Sequence, residues 1–137
     1  MVRPEVIRRR IEAVSENLEV LERLARYDEG EFLADPEHYG SAERFLQLAL
    51  EALLDMGSHV IADVGLGVVN QGRDIPRLFR EHGYIDSALE EKWLRMIGFR
   101  NILVHAYLQL DRRHVYRVLR NDLDDIRALQ RTFANFL

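Results

Sequence analysis

Long stretches of this chain contain no helix-breaking residue, and this feature most narrows the folds that it can adopt. Only three prolines and eight glycines occur in 137 residues, and most of them fall into two gaps. Pro36 and Gly40 mark the first gap, whereas Gly72, Pro76 and Gly83 mark the second. Between the gaps, apolar residues recur at spacings of three and four, which is the period of an amphipathic helix. The pattern predicts an all-α protein.

Four long helices are predicted, over about residues 4–27, 41–64, 86–105 and 113–137. A short connecting helix is predicted to start at Pro76, because proline suits the first turn of a helix. The second long helix is apolar on nearly all sides, so it should lie at the centre. Long helices with short connections favour an antiparallel up-down bundle. The length suits one hydrophobic core and is too short for two, so we expect a single domain over residues 1–137.

The composition of the chain excludes several kinds of site. The absence of cysteine removes disulfides, thiolate zinc sites and cysteine nucleophiles. Charged residues at Glu51, Asp55 and Asp63 interrupt the most apolar segment, so we expect no membrane partner and a cytoplasmic protein. The net charge of −4 disfavours general nucleic-acid binding. However, the segment 91–120 holds seven basic and two acidic residues, which form either a solvated helical face or a phosphate-attracting patch.

One arginine occupies an apolar position of the third long helix. The seam of this helix, at spacings of four and three, consists of Leu89, Trp93, Met96, Arg100 and Leu103. A guanidinium keeps its charge, and its burial without a partner is very costly. Arg100 therefore pairs with a carboxylate such as Asp122, reaches solvent near the helix end, or meets an anionic ligand or a partner protein.

His105 follows five residues after Arg100, and this spacing separates the two side chains by about 140° around a straight helix. They converge if the helix loosens near His105, or if two copies meet in a dimer. Asn101 and His105 are four residues apart and share a face. His105 has either a structural role or a role in catalysis.

A second polar pair, Asp55 and His59, lies four residues apart on the apolar second helix. It is either an ion pair satisfied in the core or a supporting pair that faces the third helix behind its polar residues. One aspartate and one histidine are too few ligands for a closed metal site, so we expect no metal.

The segment 100–107 reads Arg-Asn-Ile-Leu-Val-His-Ala-Tyr. It resembles the signature R-N-x-x-V-H-x-Y of the HepT toxins, which belong to HepT–MntA toxin–antitoxin pairs in the HEPN superfamily. The resemblance covers about residues 41–126. The other segments that carry it are 44–47, 52–59, 83–86, 95–99, 115–116 and 121–123.

The resemblance implies an all-α homodimer that acts as a metal-independent endoribonuclease and needs no cofactor. It implies that Arg100 and His105 from two subunits meet at the dimer interface and form the active pair, accompanied by Asn101. The RNA products would carry 2′,3′-cyclic phosphate ends. The implied protein partner is an MntA-like nucleotidyltransferase antitoxin, which would inhibit the toxin by adding AMP to Tyr107. The chain keeps every position of the motif.

Two alternatives remain beside a toxin with ribonuclease activity. The bundle could be a non-catalytic subunit that presents a nucleotide or another substrate to a small nucleotidyltransferase. It could also be a structural bundle whose basic patch binds another anion. An RNA cleavage assay separates the toxin with ribonuclease activity from both alternatives.

Overall fold

A computed structural model describes residues 2–137 of the chain, and the side chain of Tyr107 lies outside this description. The residues described contain seven α-helices, one 3-10 helix and no β-strand. The predicted all-α fold is therefore confirmed. The helices are α1 (Pro4–Leu24), α2 (Glu29–Ala34), α3 (Pro36–Val64), α4 (Asp74–Glu81), α5 (Ser87–His105), α6 (Arg112–Asn121) and α7 (Leu123–Ala134), with the 3-10 helix at Tyr107–Gln109.

The helix α3 is the centre of the fold, as its apolar composition predicts. It packs against each of the other six α-helices. It starts five residues earlier than predicted, because Asp35 caps it and Pro36 occupies its first position. Gly65 ends it with a left-handed backbone conformation, at a φ of 73°.

Two parts of the predicted helix pattern are wrong. The fourth long helix is divided at Asp122 into α6 and α7. Both contact α1 and α3, but α6 also packs on α2, whereas α7 packs on α5. The second difference is α2, a six-residue helix that was not predicted. Its start is stabilised by reciprocal hydrogen bonds between Asp28 and Glu31, each accepting from the other's backbone N–H.

Aromatic side chains fix the position of α5 in the bundle. The ring of Phe79 on α4 lies edge-on to Trp93 of α5 and to Phe133 of α7, with centroid distances of 5.3 and 5.5 Å. Trp93 and Phe133 also meet edge to face, at 5.8 Å. All three side chains are fully buried. Pairs of this geometry add to the free energy gained by burial, so the N-terminal half of α5 is firmly anchored.

By length and composition, α3 could cross a membrane, since one of its 18-residue windows has a mean hydropathy of 1.3. This differs from the expectation that its acidic residues interrupt every such stretch. The core helix of a globular bundle passes the same test, and nine residues of α3 are buried against other helices.

Candidate functional site

The seam of α5 faces the core as predicted. Trp93, Met96 and Leu103 are buried, and Arg100 lies between them in sequence with a side chain that is 26% exposed. Asp86 caps the start of α5 by accepting a hydrogen bond from the backbone of Leu89 at 2.8 Å. The helix therefore carries an arginine among the buried residues of its seam, and the charged end of this side chain needs a partner.

The partner of Arg100 is Glu51 of α3, and the prediction of Asp122 is wrong. Nη2 of Arg100 donates to Oε1 of Glu51 at 3.2 Å, and Nη1 donates to Oδ1 of Asn101 at 3.1 Å. Asp122 instead lies between α6 and α7, where burial, and then the charge of Asp125, raise the pKa of its carboxyl. The pairing with a carboxylate is thus confirmed, but on a different helix.

The side chain of Arg100 lines a cleft between α1, α3 and α5, and this cleft has a volume of about 700 Å³. Nε of Arg100 is buried and has no hydrogen-bond partner among the residues described, so only its outer nitrogens are engaged. The cleft is lined by two arginines, two carboxylates and several small or apolar side chains. Besides Arg100, these are Arg10, Leu48, Glu51, Ala52, Leu54, Asp55 and Ser58.

His105 is exposed and is the last residue of α5. The helix keeps its α-helical hydrogen bonding to this point, because the backbone N–H of Ala106 donates to the carbonyl of Ile102 at 3.0 Å. A loosened helix therefore does not bring His105 to Arg100 within one chain. Within the part of the chain that the structure describes, no side chain hydrogen-bonds the His105 ring, and Asn101 is likewise exposed.

Tyr107 lies two residues after the end of α5 and begins the 3-10 helix Tyr107–Gln109. Its side chain, which is the predicted modification site, lies outside the described part of the structure. Its neighbour Leu108 is 86% exposed, and Gln109 is also exposed. The backbone at this position therefore runs along the protein surface.

Asp55 and His59 lie on the outer side of α3 rather than in the core. Oδ1 of Asp55 and Nε2 of His59 are 3.9 Å apart, and the two side chains are 46% and 28% exposed. Asp55 forms an ion pair with Arg10 of α1, and Nδ1 of His59 is 2.9 Å from Nη2 of Arg3. The interpretation that Asp55 and His59 form an ion pair in the core is therefore wrong. Asp55 and Arg100 do line the same cleft.

One row of polar side chains along α3 was not recognised from the sequence. Gln47, Glu51, Asp55, His59 and Asp63 recur every four residues, so they follow one another along one side of the helix. Arg3 donates to Asp63, and this hydrogen bond lowers the pKa of the aspartate. The spacing of four was visible in the sequence, but it does not reveal which arginine each carboxylate meets.

Several basic residues of the segment 91–120 lie next to acids from other helices. Lys92 lies 3.4 Å from Asp125, Arg112 lies 3.6 Å from Glu43, and Arg113 lies 3.6 Å from Glu29. Arg112 also stacks over the ring of Tyr39, 4.2 Å from its centroid. Burial raises the pKa of the Glu43 carboxyl, and the charge of Arg112 opposes this increase. These three acids therefore offset part of the local charge of +5.

The chemistry available at this end of α5 comes from a guanidinium, an amide and an imidazole. Arginine binds phosphate oxygens through paired N–H groups, and histidine gains or loses a proton near neutral pH. Among the residues described, no three histidine, aspartate or glutamate side chains cluster as metal ligands would.

The chain is thus an all-helical protein of the class that carries an Arg-x4-His motif. Arg100, Asn101 and His105 lie on the last turns of one helix. Residues 14–132 match the model of a family described as ribonuclease HepT-like, and the chain belongs to this family. The resemblance to HepT is thereby confirmed.

Two relatives and one solved structure illustrate the similarity. The mRNA nuclease HepT of Shewanella oneidensis is 32% identical over 80 residues, which span 58% of this chain and only 60% of that relative. The tRNA nuclease HepT of Aphanizomenon flos-aquae is 23% identical over 118 residues, which span 86% and 80% of the two chains. A structure of the tri-AMPylated Shewanella oneidensis HEPN toxin in complex with MNT antitoxin has a TM-score of 0.87. It is 25% identical, and the match covers 95% of this chain and 97% of that one.

Proposed function

We propose that this chain is the toxin of a toxin–antitoxin pair and a metal-independent endoribonuclease. The observation that carries the proposal is the motif of Arg100, Asn101 and His105 at the exposed end of α5, beside an open cleft. Membership of the ribonuclease HepT-like family supports it, as do the nuclease names of the two relatives. We further propose that residues 1–137 form one domain, supported by a hydrophobic cluster that includes residues of every α-helix.

The proposed reaction uses the 2′-hydroxyl of RNA as its nucleophile. Its oxygen attacks the adjacent phosphorus, the bond to the 5′-oxygen breaks, and the products carry a 2′,3′-cyclic phosphate and a 5′-hydroxyl. His105 accepts the proton of the 2′-hydroxyl or protonates the leaving oxygen, because imidazole titrates near neutral pH. Arg100 stabilises the negative charge that builds on the phosphoryl oxygens. Asn101 accepts from Nη1 of Arg100 and so helps to orient it.

We propose that the active site forms in a homodimer. Within one α5 the two side chains point about 140° apart, and the helix does not loosen before His105. In a dimer with twofold symmetry, the same surface of each copy meets, so the Arg100 of one copy can face the His105 of the other.

We propose a nucleotidyltransferase of the MntA type as the antitoxin and AMP addition to Tyr107 as the means of inhibition. The solved complex of a tri-AMPylated HEPN toxin with MNT antitoxin supports both statements. Tyr107 lies two residues after His105, so an added phosphate would place bulk and negative charge next to the site and repel RNA. We propose that the protein binds RNA and the antitoxin in the cytoplasm.

The experiment that tests the ribonuclease is incubation of the purified protein with total RNA, beside the variants His105→Ala and Arg100→Ala. Cleavage is expected for the wild-type protein alone, with products that carry cyclic phosphate ends. His82→Ala is a matched control, since His82 is also exposed but lies at the end of α4. Because His105 is exposed, its replacement should leave the melting temperature unchanged. If His105→Ala cleaved RNA as well as the wild-type protein does, the mechanism would be wrong.

A further inference from the structure

We propose that Glu51 is a positioning residue for Arg100, and that it orients the guanidinium for the phosphoryl group of RNA. The inference rests on the proposed function, because it assumes that Arg100 acts on the substrate. Nη2 of Arg100 donates to Oε1 of Glu51 at 3.2 Å. Among the residues described, this is the hydrogen bond that ties Arg100 to another helix, since its other partner is the adjacent Asn101.

Arg100 needs such a partner because of its position on the seam. Its neighbours on this face of α5, Met96 and Leu103, are buried, and its Nε is buried with no hydrogen-bond partner in the described part of the chain. Without an anion nearby, the free energy of the charged group falls when the long side chain swings out to water. The guanidinium would then be distributed over several rotamers, and ordering it again during the reaction would cost entropy.

Glu51 can fix this geometry because its own position is fixed. Gln47, one turn earlier on α3, donates through Nε2 to the same Oε1 at 3.0 Å. Both residues belong to the central helix, which packs against all other α-helices of the fold. The next carboxylate on the row, Asp55, is engaged by Arg10 and so does not compete for Arg100. The residues Gln47, Glu51, Arg100 and Asn101 thus form a connected hydrogen-bond path from the central helix α3 to the motif.

This arrangement has an electrostatic cost that gives the proposal a distinctive signature. A carboxylate beside Arg100 repels the phosphate that the arginine binds, and the two side chains are only partly shielded from water, at 26% and 35% exposed. Glu51 therefore improves the geometry of the reaction while it weakens the binding of RNA. Removal of its charge and removal of its hydrogen bond should affect kcat and KM in different ways.

Two substitutions separate these effects. Glu51→Gln keeps an oxygen acceptor for Arg100 and loses the charge, so we expect kcat within about threefold of wild type and a KM lowered severalfold. Glu51→Ala loses both, so we expect kcat to fall by about tenfold or more, because a misplaced group is costly in the transition state. Asp63→Ala is the control, since Asp63 lies on the same row of α3 and bonds to Arg3. It should leave kcat and KM unchanged.

A measurement without substrate distinguishes the failure of this inference from the failure of the proposed function. In ¹H–¹⁵N spectra, the buried Nε–H of Arg100 should give a resolved resonance, assigned by its loss in Arg100→Lys. The resonance should persist in Glu51→Gln and Asp63→Ala and broaden in Glu51→Ala. Absence of RNA cleavage by the wild-type protein would refute the proposed function alone. The role of Glu51 would be overturned if Glu51→Ala left both the Nε–H resonance of Arg100 and kcat unchanged. It would also be overturned if Glu51→Gln were as inactive as Glu51→Ala.

Discussion

Gly57 of α3 lies directly against the indole ring of Trp93 on α5. A methyl group at Gly57 would be 3.4 Å from Cη2 of Trp93 and 2.5 Å from Cγ2 of Ile75 on α4. The missing side chain thus lets three helices approach closely at this point. Because the contact fixes α5 relative to α3, it contributes to the position at which Arg100 meets Glu51, six residues before Gly57 on α3.

We predict that Gly57→Ala destabilises the fold. The added methyl group would gain helix propensity, but it must displace Ile75, which is branched at Cβ, buried and unable to move its Cγ2 freely. Overpacking of this kind costs about 1–3 kcal/mol, so the free energy of unfolding and the melting temperature should both fall. Chemical denaturation monitored by circular dichroism measures the change.

The control for this prediction is Gly40→Ala in the same helix. Gly40 is exposed, and a methyl group there would meet nothing within 4 Å. Its replacement should raise the free energy of unfolding by up to about 1 kcal/mol, because alanine is the better helix former. If both variants were equally stabilised, the close contact of Gly57 with Ile75 and Trp93 would not exist in solution.

We predict that Asp74 stabilises the fold at neutral pH and that its contribution is lost in acid. Backbone N–H groups of Gln71 and Asn70 donate to its carboxylate, each at 2.9 Å, and with nearby Arg77 they hold the pKa of Asp74 below its usual range. A carboxyl whose pKa is lower in the folded state stabilises above its ordinary value near 3.8 and loses this effect as the pH falls through the folded pKa.

The substitution Asp74→Asn tests this dependence on pH. The variant should be less stable than wild type at pH 7, and the difference should disappear once Asp74 is protonated in both states. Urea denaturation at a series of pH values measures the difference. A deficit that stays constant down to the lowest pH would contradict the role of the charge.

Local patterns predicted most of the helices, since the spacing of apolar residues reports which face each helix buries. The helix α2 was missed because six residues are too few to show a period, although Asp28 and Glu31 form a recognisable capping pair. The break at Asp122 was missed because apolar residues continue in register across it. The side chains of aspartate and asparagine favour helix ends over helix interiors, and this preference was the available signal.

For the candidate site, the sequence predicted that the charge of Arg100 needs a partner, but not which residue supplies it. The half-buried position follows from the spacing along α5 alone. The choice of Glu51 over Asp122 depends on how α3 and α5 are rotated against each other, which is set by contacts such as that of Gly57 with Trp93. Spacing within one helix carries no information about this rotation. The same limit applies to Asp55, whose partner Arg10 comes from α1.

We predict that Tyr107 is the acceptor of AMP from the cognate nucleotidyltransferase. Incubation of the protein with this enzyme and ATP should increase the intact mass by one or more AMP units, and the modified protein should no longer cleave RNA. Tyr107→Phe should abolish the increase, whereas Tyr84→Phe should retain it, because it removes the hydroxyl of a different tyrosine, one that is exposed. An unchanged mass in the wild-type protein would refute the proposed inhibition.

We predict that two inactive variants restore activity when they share a dimer. Arg100→Ala and His105→Ala should each be inactive alone. A mixed dimer has one site in which the intact Arg100 of one copy faces the intact His105 of the other, and one site that lacks both. With random mixing of equal amounts, half of the dimers are mixed and half of their sites are complete, so about a quarter of the wild-type activity should return. Refolding the two variants together, followed by the RNA cleavage assay, measures this value. No recovery, in dimers that light scattering shows to have formed, would mean that Arg100 and His105 of the same chain act together.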